Sequence, residues 1–489
     1  MHTVLLVDGS NLLFRAVYGL GEQSCAMGVI LYLNDIWADV DPDSCVVCWD
    51  VSKSKARSFL YSEYKAGRKQ AKAELDMDSI KVQQDFVMKY LEALGIVQIA
   101  VHGVEADDIL SYVSEYCTRL GYKVVITSSD MDLWQLIDPP NVAVYDHRNN
   151  SYVTAATVEQ KLGFKDNFSR IAEYKALVGD ASDNIKGVKG IGEKAARSLF
   201  LEHGSLLGMR KAFKLLSKSK KTAKIFELED DLERDLRLTR LPSLSAIRYW
   251  LRPSELSELS EQVHSVCVKD VSKAALYVSH LKKALQLSKP IIPLDLSGLL
   301  SMPDLSFYQD WSALDTEVAK CRRCLGVFNS PVLGQGHSAA DIMFVFSEVE
   351  TFDSEIIEAF MKDAGIQRDE VYFTSVVRCV SLDTSLPSLG QAARCVSFLQ
   401  SEINLLRPKL VVTFGNLAMS QFTEYQSFVT KHCGEIGRFS SNRLAHSAIV
   451  AINVAPSSAL RSGKYKAHLE YGAQRLKAFL IVQESKHTF

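Results

Sequence analysis

The chain has 489 residues, 47% of them hydrophobic and 23% charged, with a formal net charge of −2 at pH 7. That length exceeds one compact core and predicts two or three domains, and the near-zero charge excludes a globally basic nucleic-acid binder, leaving only local patches for such contact. No apolar run approaches the roughly 20 residues of a membrane helix, and the opening MHTVLLVDGSN lacks the basic start and long apolar run of a signal peptide. The expected location is a reducing cytoplasm, where ten cysteines are not a disulfide framework and clustered ones deserve testing as metal ligands.

From the N-terminus, short apolar strands alternate with helical patterns. TVLLV (3–7), SCVVCW (44–49) and KVVIT (123–127) read as strands, and SIKVQQDFVMKYLEALG as one of the helices between them. The alternation predicts a doubly wound, mostly parallel sheet. Each strand delivers carboxylates just past its C-terminal end: Asp8 after the first, Asp50 after the second, Asp130 and Asp132 after the third. In an open parallel sheet that edge is the ligand crevice.

GVEADDILSYV reads as a helix start that adds Glu105, Asp107 and Asp108, with Glu105 and Asp108 on one face. Asp180 and Asp183 form a further source, so nine carboxylates are expected at one crevice. A single Asp after a strand is ordinarily a turn residue or helix cap. Five converging sources are a different matter, because like charges raise each other's pKa until a cation neutralises them. All-oxygen donors favour Mg²⁺ or Mn²⁺ over zinc, and two such ions about 4 Å apart suit in-line phosphodiester hydrolysis.

Between Asp50 and Glu105, the segment KSKARSFLYSEYKAGRKQAK carries Lys53, Lys55, Arg57, Lys65, Arg68, Lys69 and Lys72, with Tyr61 and Tyr64 interleaved. Such a run is either a solvated charged face or a phosphate-binding and base-stacking surface. After Gly179 the pattern turns helical. In GDASDNIKGVKGIGEKAA (179–196), Gly187, Gly190 and Gly192 allow backbone N–H groups near a phosphate, and Lys186, Lys189 and Lys194 add charge ahead of a helix starting near Glu193. The stretch thus sets two acids beside a duplex-gripping turn, fixing the distance from held backbone to scissile bond.

VDGSN, the strand ending at Asp50, YKAGR (64–68), VEADD (104–108), SSDMDLWQL (128–136) and GDASDNIKGVKGIGEKAA stand in the order found in the 5′-nuclease superfamily of phage flap endonucleases and polymerase I 5′-nuclease domains, which residues 1 to about 280 resemble. The resemblance implies a PIN-like catalytic domain (1–175) and a helical, helix-hairpin-helix-like DNA-binding subdomain (176–287). It implies two Mg²⁺ or Mn²⁺ ions on Asp8, Asp50, Glu105, Asp107, Asp108, Asp130, Asp132, Asp180 and Asp183. Lys65 and Arg68 are implied to contact the scissile phosphate from an arch, Tyr64 to stack on a frayed base, and Lys69 to bind DNA. The glycine turn (Gly187, Lys189, Gly190, Gly192, Lys194) is implied to hold duplex with a K⁺ ion. The expected activity is 5′→3′ exonuclease and flap endonuclease on DNA 5′ ends or flaps, with RNA primers an open alternative and a replicative DNA polymerase as partner. A phage replication or recombination role, in a bacterial host cytoplasm, fits such a fusion.

SKPIIPLDLSGLLSMPDLS marks a linker, placed at 288–305. Beyond it DIMFVF (341–346), EVYFTSVV (370–377), KLVVTF (409–414) and SAIVAIN (447–453) are strand-like. Cys321 and Cys324 form CRRC, and Cys379 and Cys395 follow; spacing alone leaves Zn²⁺ and an iron–sulfur cluster both open. CVVC (45–48) lies within a strand that sends its two cysteines to opposite faces, and reads as packing.

Residues about 306–489 resemble the uracil-DNA glycosylase superfamily, particularly its iron–sulfur family 4 branch, through CRRC, VLGQGHSAADIMFV, GIQRDEVYFTSVVRC and RCVSFLQSEINLLRPKLVVTFGNLA. The resemblance implies a [4Fe–4S] cluster on Cys321, Cys324, Cys379 and Cys395. The catalytic pieces depart from the family. FSEVETF (346–352) replaces its Gly-Glu-Ala-Pro-Gly loop, Ser375 stands where it has the uracil-reading Asn, and Ala455-Pro456-Ser457 replaces His-Pro-Ser. Without that amide and imidazole, reading a flipped base and stabilising the breaking glycosidic bond both fail. The expectation is an inactive glycosylase-like domain. The rivals are a bifunctional uracil-removing repair nuclease and a non-catalytic DNA-binding scaffold.

Overall fold

The structure is a computed structural model that describes residues 2–67, 75–164, 168, 170–219, 222–227, 229–242, 254–255, 257–261, 291–292, 294–296, 310–321, 331–347, 349, 354–379, 389–423, 428–439 and 448–485. The chain forms two compact units, Met1–Glu202 with Leu232–Pro303, and His203–Asp231 with Asp304–Phe489. No helix among the described residues is long and apolar enough to cross a membrane.

The first unit is built on a six-stranded sheet ordered β3-β2-β1-β4-β5-β6. Its strands are β1 (Thr3–Asp8), β2 (Ser44–Cys48), β3 (Val97–Ile99), β4 (Lys123–Thr127), β5 (Val142–Asp146) and β6 (Ser151–Tyr152). The first five run parallel and β6 turns back on β5. Alternation along the buried strands serves two layers. Leu5, Val7, Cys45, Val47 and Val125 pack with the helices Gly9–Leu20, Cys25–Val40 and Met77–Ala93, while Ala106–Arg119 packs against β1 and β4 from elsewhere in the wind. Cys45 and Cys48 are both buried, and burial pushes both thiols up. They are packing residues, as their place in a strand requires. The strand order reverses between β1 and β4, so the C-terminal ends of those two strands flank the sheet's natural crevice. Asp8 ends β1, and Ser128 to Asp132 follow β4.

The second unit carries a sheet ordered β11-β12-β10-β8-β9-β7. The strands are β7 (Gln335–Gly336), β8 (Ile342–Phe346), β9 (Val371–Ser375), β10 (Leu410–Phe414), β11 (Ile436–Gly437) and β12 (Ile449–Asn453). β9, β8, β10 and β12 are parallel, and the two short edge strands are antiparallel. Every residue of β8, β9 and β10 is buried, the mark of strands covered on both faces. Aromatic packing fixes the centre, with Phe346 and Phe414 stacked at 4.8 Å between ring centroids.

Candidate active site

Four carboxylates meet at the first sheet's crevice. Asp8 caps the helix Gly9–Leu20 and accepts from the Asn11 amide (2.9 Å), while its other oxygen accepts from Ser128 Oγ (2.9 Å). The cap and the site are one residue doing both jobs. Asp50 is fixed at both ends: its amide donates to Ser10 Oγ (2.7 Å), and its carboxylate accepts from the Ala106 amide (2.8 Å) at the start of Ala106–Arg119. Asp107 sits in that helix's first turn. Asp130 caps the short turn Met131–Leu136 and accepts from the Asp132 amide (2.9 Å).

These four feel one another. Burial and then Asp50 push the Asp8 carboxyl up to about 7, against the pull of its own hydrogen bonds. Burial followed by Asp8, Asp130 and Asp50 raises Asp107 well above the ordinary range. Such mutual repulsion is what a bound divalent cation relieves. As the side chains stand, no three His, Cys, Asp or Glu residues among those described are gathered tightly enough to hold an ion.

The other five acids are engaged by bases of the chain itself. Arg57 is buried and grips Asp108 through two 2.8 Å bonds, reaching Glu105 (3.1 Å) and the Leu238 carbonyl (3.0 Å) with its remaining donors. Glu105 also accepts from Lys65 Nζ (2.7 Å), and Tyr64 Oη lies within hydrogen-bond reach of both Glu105 (3.0 Å) and Asp183 (3.1 Å). Burial works against the Glu105 anion, but Lys65 and Arg57 win and hold it at about 2. Lys175 bridges Asp132 and Asp180. Burial and Asp130 nevertheless lift Asp132 to about 7, whereas Lys175 draws Asp180 down to about 2.

Four sequence expectations change here. Arg57 is not a phosphate-facing base but the buried partner of Asp108. Asp108, fully buried in that bidentate pair, does not face the crevice with Asp8. Tyr64 is 3% exposed, its hydroxyl committed to carboxylates, so its ring has no face open to a base in this conformation. The Gly187 amide donates to the buried Asp235 carboxylate (3.1 Å) rather than being offered to a phosphate. Gly187 is needed for another reason: φ is +62°, and a β-carbon there would stand 2.4 Å from the Gly179 nitrogen.

Lys186, Lys189, Gly190, Gly192 and Lys194 are exposed together, and the helix Glu193–His203 begins where expected. Lys65 is held at φ +55°, an uncommon conformation for a side-chain-bearing residue, by its amide donating to the Asp183 carbonyl (3.0 Å) and its carbonyl accepting from Lys53 Nζ (3.1 Å). Arg68, Lys69 and Lys72 lie outside the described residues.

Sequence reasoning missed the supporting network and Lys175. The buried His147 ring pairs with Arg15 (3.0 Å) and with Asn11 Oδ1 (3.0 Å), which also accepts from the Ser129 amide and hydroxyl (3.2 and 2.8 Å). Burial and Arg15 hold His147 neutral, near 4. The turn carrying Asp130 is thereby tied to the helix after Asp8. The Ser-Asn after Asp8 and the Ser-Ser before Asp130 were the legible signs of it; His147 had none.

In the second unit, Cys321 follows the helix Trp311–Ala319 and packs with Leu314, Val318 and Phe398. Cys395 lies on Leu389–Leu406, the helix that bears Phe398, and acts electrostatically on Arg378, the neighbour of Cys379. Cys324 lies outside the described residues, and no three metal-binding side chains are gathered among those described. Small groups meet at the C-terminal ends of β8, β10 and β12. Ser347 Oγ donates to the Phe414 carbonyl (3.0 Å) and accepts from the Ala418 amide (3.2 Å). A β-carbon at Gly415 would stand 2.6 Å from Ser347 Oγ and 3.3 Å from Ala455 Cβ. Ser375 is buried with its hydroxyl turned back to the Val377 carbonyl (2.9 Å).

Comparison with known proteins agrees with this architecture. Residues 3–163 match the family model of the 5′-3′ exonuclease N-terminal resolvase-like domain, residues 167–261 that of the 5′-3′ exonuclease C-terminal SAM fold, and residues 335–477 that of the uracil DNA glycosylase superfamily. A 5′-3′ exonuclease of Aquifex aeolicus is 29% identical over 299 residues, which is 57% of this chain and 100% of that protein. A DNA polymerase I of Caldicellulosiruptor bescii is 35% identical over 217 residues, 42% of this chain but only 25% of the polymerase. A solved structure of T5 5′-exonuclease with divalent metal ions (zinc) covers 58% of this chain and 100% of its own, at 22% identity and a TM-score of 0.45. Residues 3–261 therefore belong to the 5′-3′ exonuclease family, and residues 335–477 of the same chain to the uracil-DNA glycosylase superfamily.

Proposed function

We propose that this protein is a Mg²⁺- or Mn²⁺-dependent 5′→3′ exonuclease and structure-specific flap endonuclease, fused to a glycosylase-like domain that has kept its fold and lost its base chemistry. The observation that carries the nuclease reading is the group Asp8, Asp50, Asp107 and Asp130, brought from four separate segments to the crevice between β1 and β4. These residues would hold divalent ions, which would supply water activation and Lewis-acid stabilisation of the leaving oxygen. Asp8, Asp50, Asp107 and Asp130 are the principal ligands in this reading, with Asp132, Asp180, Asp183 and Glu105 completing the outer side. Asp108 anchors Arg57 and so supports the helix that carries Asp107.

Arg68 is assigned to the scissile phosphate together with Lys65, which is buried against Glu105 here and must leave that pair to reach it. The exposed Lys189, Gly190, Gly192 and Lys194 are assigned to the duplex, with Lys69 adding charge and a K⁺ ion at the turn. DNA with 5′ ends or flaps is the substrate, RNA primers included. A replicative polymerase is the natural partner, since the polymerase I relatives carry the related region in one chain. A phage origin and a bacterial cytoplasm suit this fusion.

The domain boundaries in this reading are 1–175 and 176–287 for the nuclease, 288–305 for the linker and 306–489 for the glycosylase-like part. The latter holds a [4Fe–4S] cluster on Cys321, Cys324, Cys379 and Cys395. Its inactivity is supported by the inward hydroxyl of Ser375 and the apolar Ala455 beside Gly415. Cleavage of a labelled 5′-flap duplex with Mg²⁺ and with EDTA tests the nuclease assignment; cutting that persists in EDTA would refute it.

A further inference from the structure

Asp132 and Asp180 come from different segments, the turn after β4 and the loop after the helix Arg170–Val178, and one side chain already joins them. Lys175 Nζ lies 2.9 Å from Asp180 Oδ2 and makes a close ion pair with Asp132 Oδ1. The Lys175 side chain is only 13% exposed. Its helix is fixed by buried Ile171, Ala172, Tyr174, Ala176 and Leu177, so the ammonium is delivered to this place by the fold. Asp8, in contrast, is held by neutral donors, the Asn11 amide and the Ser128 hydroxyl.

A positive charge set between two carboxylates does what a bound cation does there, and an incoming ion must compete with it. We propose that Lys175 is a resident counter-ion occupying the Asp132–Asp180 half of the site. One Mg²⁺ or Mn²⁺ then binds readily at the Asp8 group, while a second binds weakly because it has to displace the ammonium. This rests on the metal-nuclease reading and adds the order in which the ions load.

The test is calorimetric titration of the full chain with Mn²⁺, without DNA, for wild type, Lys175→Met and Lys175→Arg. The expected wild-type result is one strong and one weak binding event. In Lys175→Met the second event tightens by roughly tenfold or more, and Lys175→Arg keeps the wild-type pattern. A Lys175→Met protein with a wild-type circular dichroism spectrum and an unchanged or weaker second event overturns the proposal.

A second measurement needs no variant. Acetylation of Lys175 in the wild-type chain, read by mass spectrometry, should rise at saturating Mn²⁺ as the ammonium is released. Unchanged or reduced labelling contradicts displacement. Flap cleavage by the same wild-type preparation separates the two ideas: cleavage with Lys175 unmoved by Mn²⁺ defeats only the counter-ion, whereas absence of metal-dependent cleavage defeats the nuclease reading beneath it.

Discussion

Arg57 and Asp108 form a two-pronged ion pair, 2.8 Å at each prong, with neither side chain more than 3% exposed. The pair fastens the helix Lys55–Leu60 to the first turn of Ala106–Arg119, the turn that carries Asp107. Truncating Arg57 to Ala leaves a buried carboxylate without its partner, a loss of about 3–5 kcal/mol. Urea denaturation of Arg57→Ala should show that loss. The paired change Arg57→Met with Asp108→Leu should recover much of it and retain metal-dependent cleavage, because Asp108 is a scaffold residue here.

Asp107 is expected to behave in the opposite way. Its carboxyl is raised by burial and by Asp8, Asp130 and Asp50. Asp107→Asn removes one member of a repelling group, so the metal-free protein should melt higher than wild type. Flap cleavage should fall by roughly a hundredfold or more. A variant that is both less stable in EDTA and fully active would refute the assignment.

The same charges set a pH dependence with two limbs. Asp8 and Asp132 rise from 3.8 to about 7 in the folded state. Between about pH 4 and 7 the folded chain therefore holds protons that the unfolded chain has released, and metal-free stability declines as pH rises through that window. Glu105 and Asp180 are lowered to about 2, so their contribution, present above the ordinary carboxylate range, is lost as pH falls toward 2. Thermal melts in EDTA should thus peak in mildly acidic buffer. Saturating Mg²⁺ should flatten the decline above that peak by replacing the protons.

Glycine substitutions separate folding from DNA contact. At Gly187 a β-carbon would collide with the Gly179 nitrogen and the Val178 carbonyl carbon, at 2.4 and 2.5 Å. Gly187→Ala should cost about 2 kcal/mol or more. Gly192 has an ordinary backbone conformation and open space around it. Gly192→Ala should therefore leave the melting temperature unchanged, and any weakening of duplex binding in a salt titration would report a close approach of DNA.

Much of this was legible in the chain. Strands beginning at Thr3, Ser44 and Lys123 announced themselves by β-branched apolar runs, and the acids after them by position alone. β3 and β6, three and two residues long, carry too little pattern to be seen. Charge sign was legible but charge partnership was not. Arg57 and Lys65 look alike in a basic segment, yet tertiary packing buries both against Glu105, and only the fold could show that. Lys175 lay in an ordinary helical stretch, and nothing in its neighbours foretold Asp132. In the second unit, the expectation that Ser375 and Ala455 stand in place of the family's Asn and His rests on the sequence alone. The approach of Ser347, Gly415 and Ala455 to one another became visible only when β8, β10 and β12 were set side by side.

The central claim, an active metal nuclease joined to a silent glycosylase fold, is tested most directly on one labelled duplex bearing a 5′ flap and a single downstream U·G pair. The full chain should cut at the flap junction with Mg²⁺ and leave the duplex intact in EDTA, and alkali treatment should reveal no break at uracil. An alkali-labile break at the uracil, or a flap left uncut by folded protein in Mg²⁺, would contradict it.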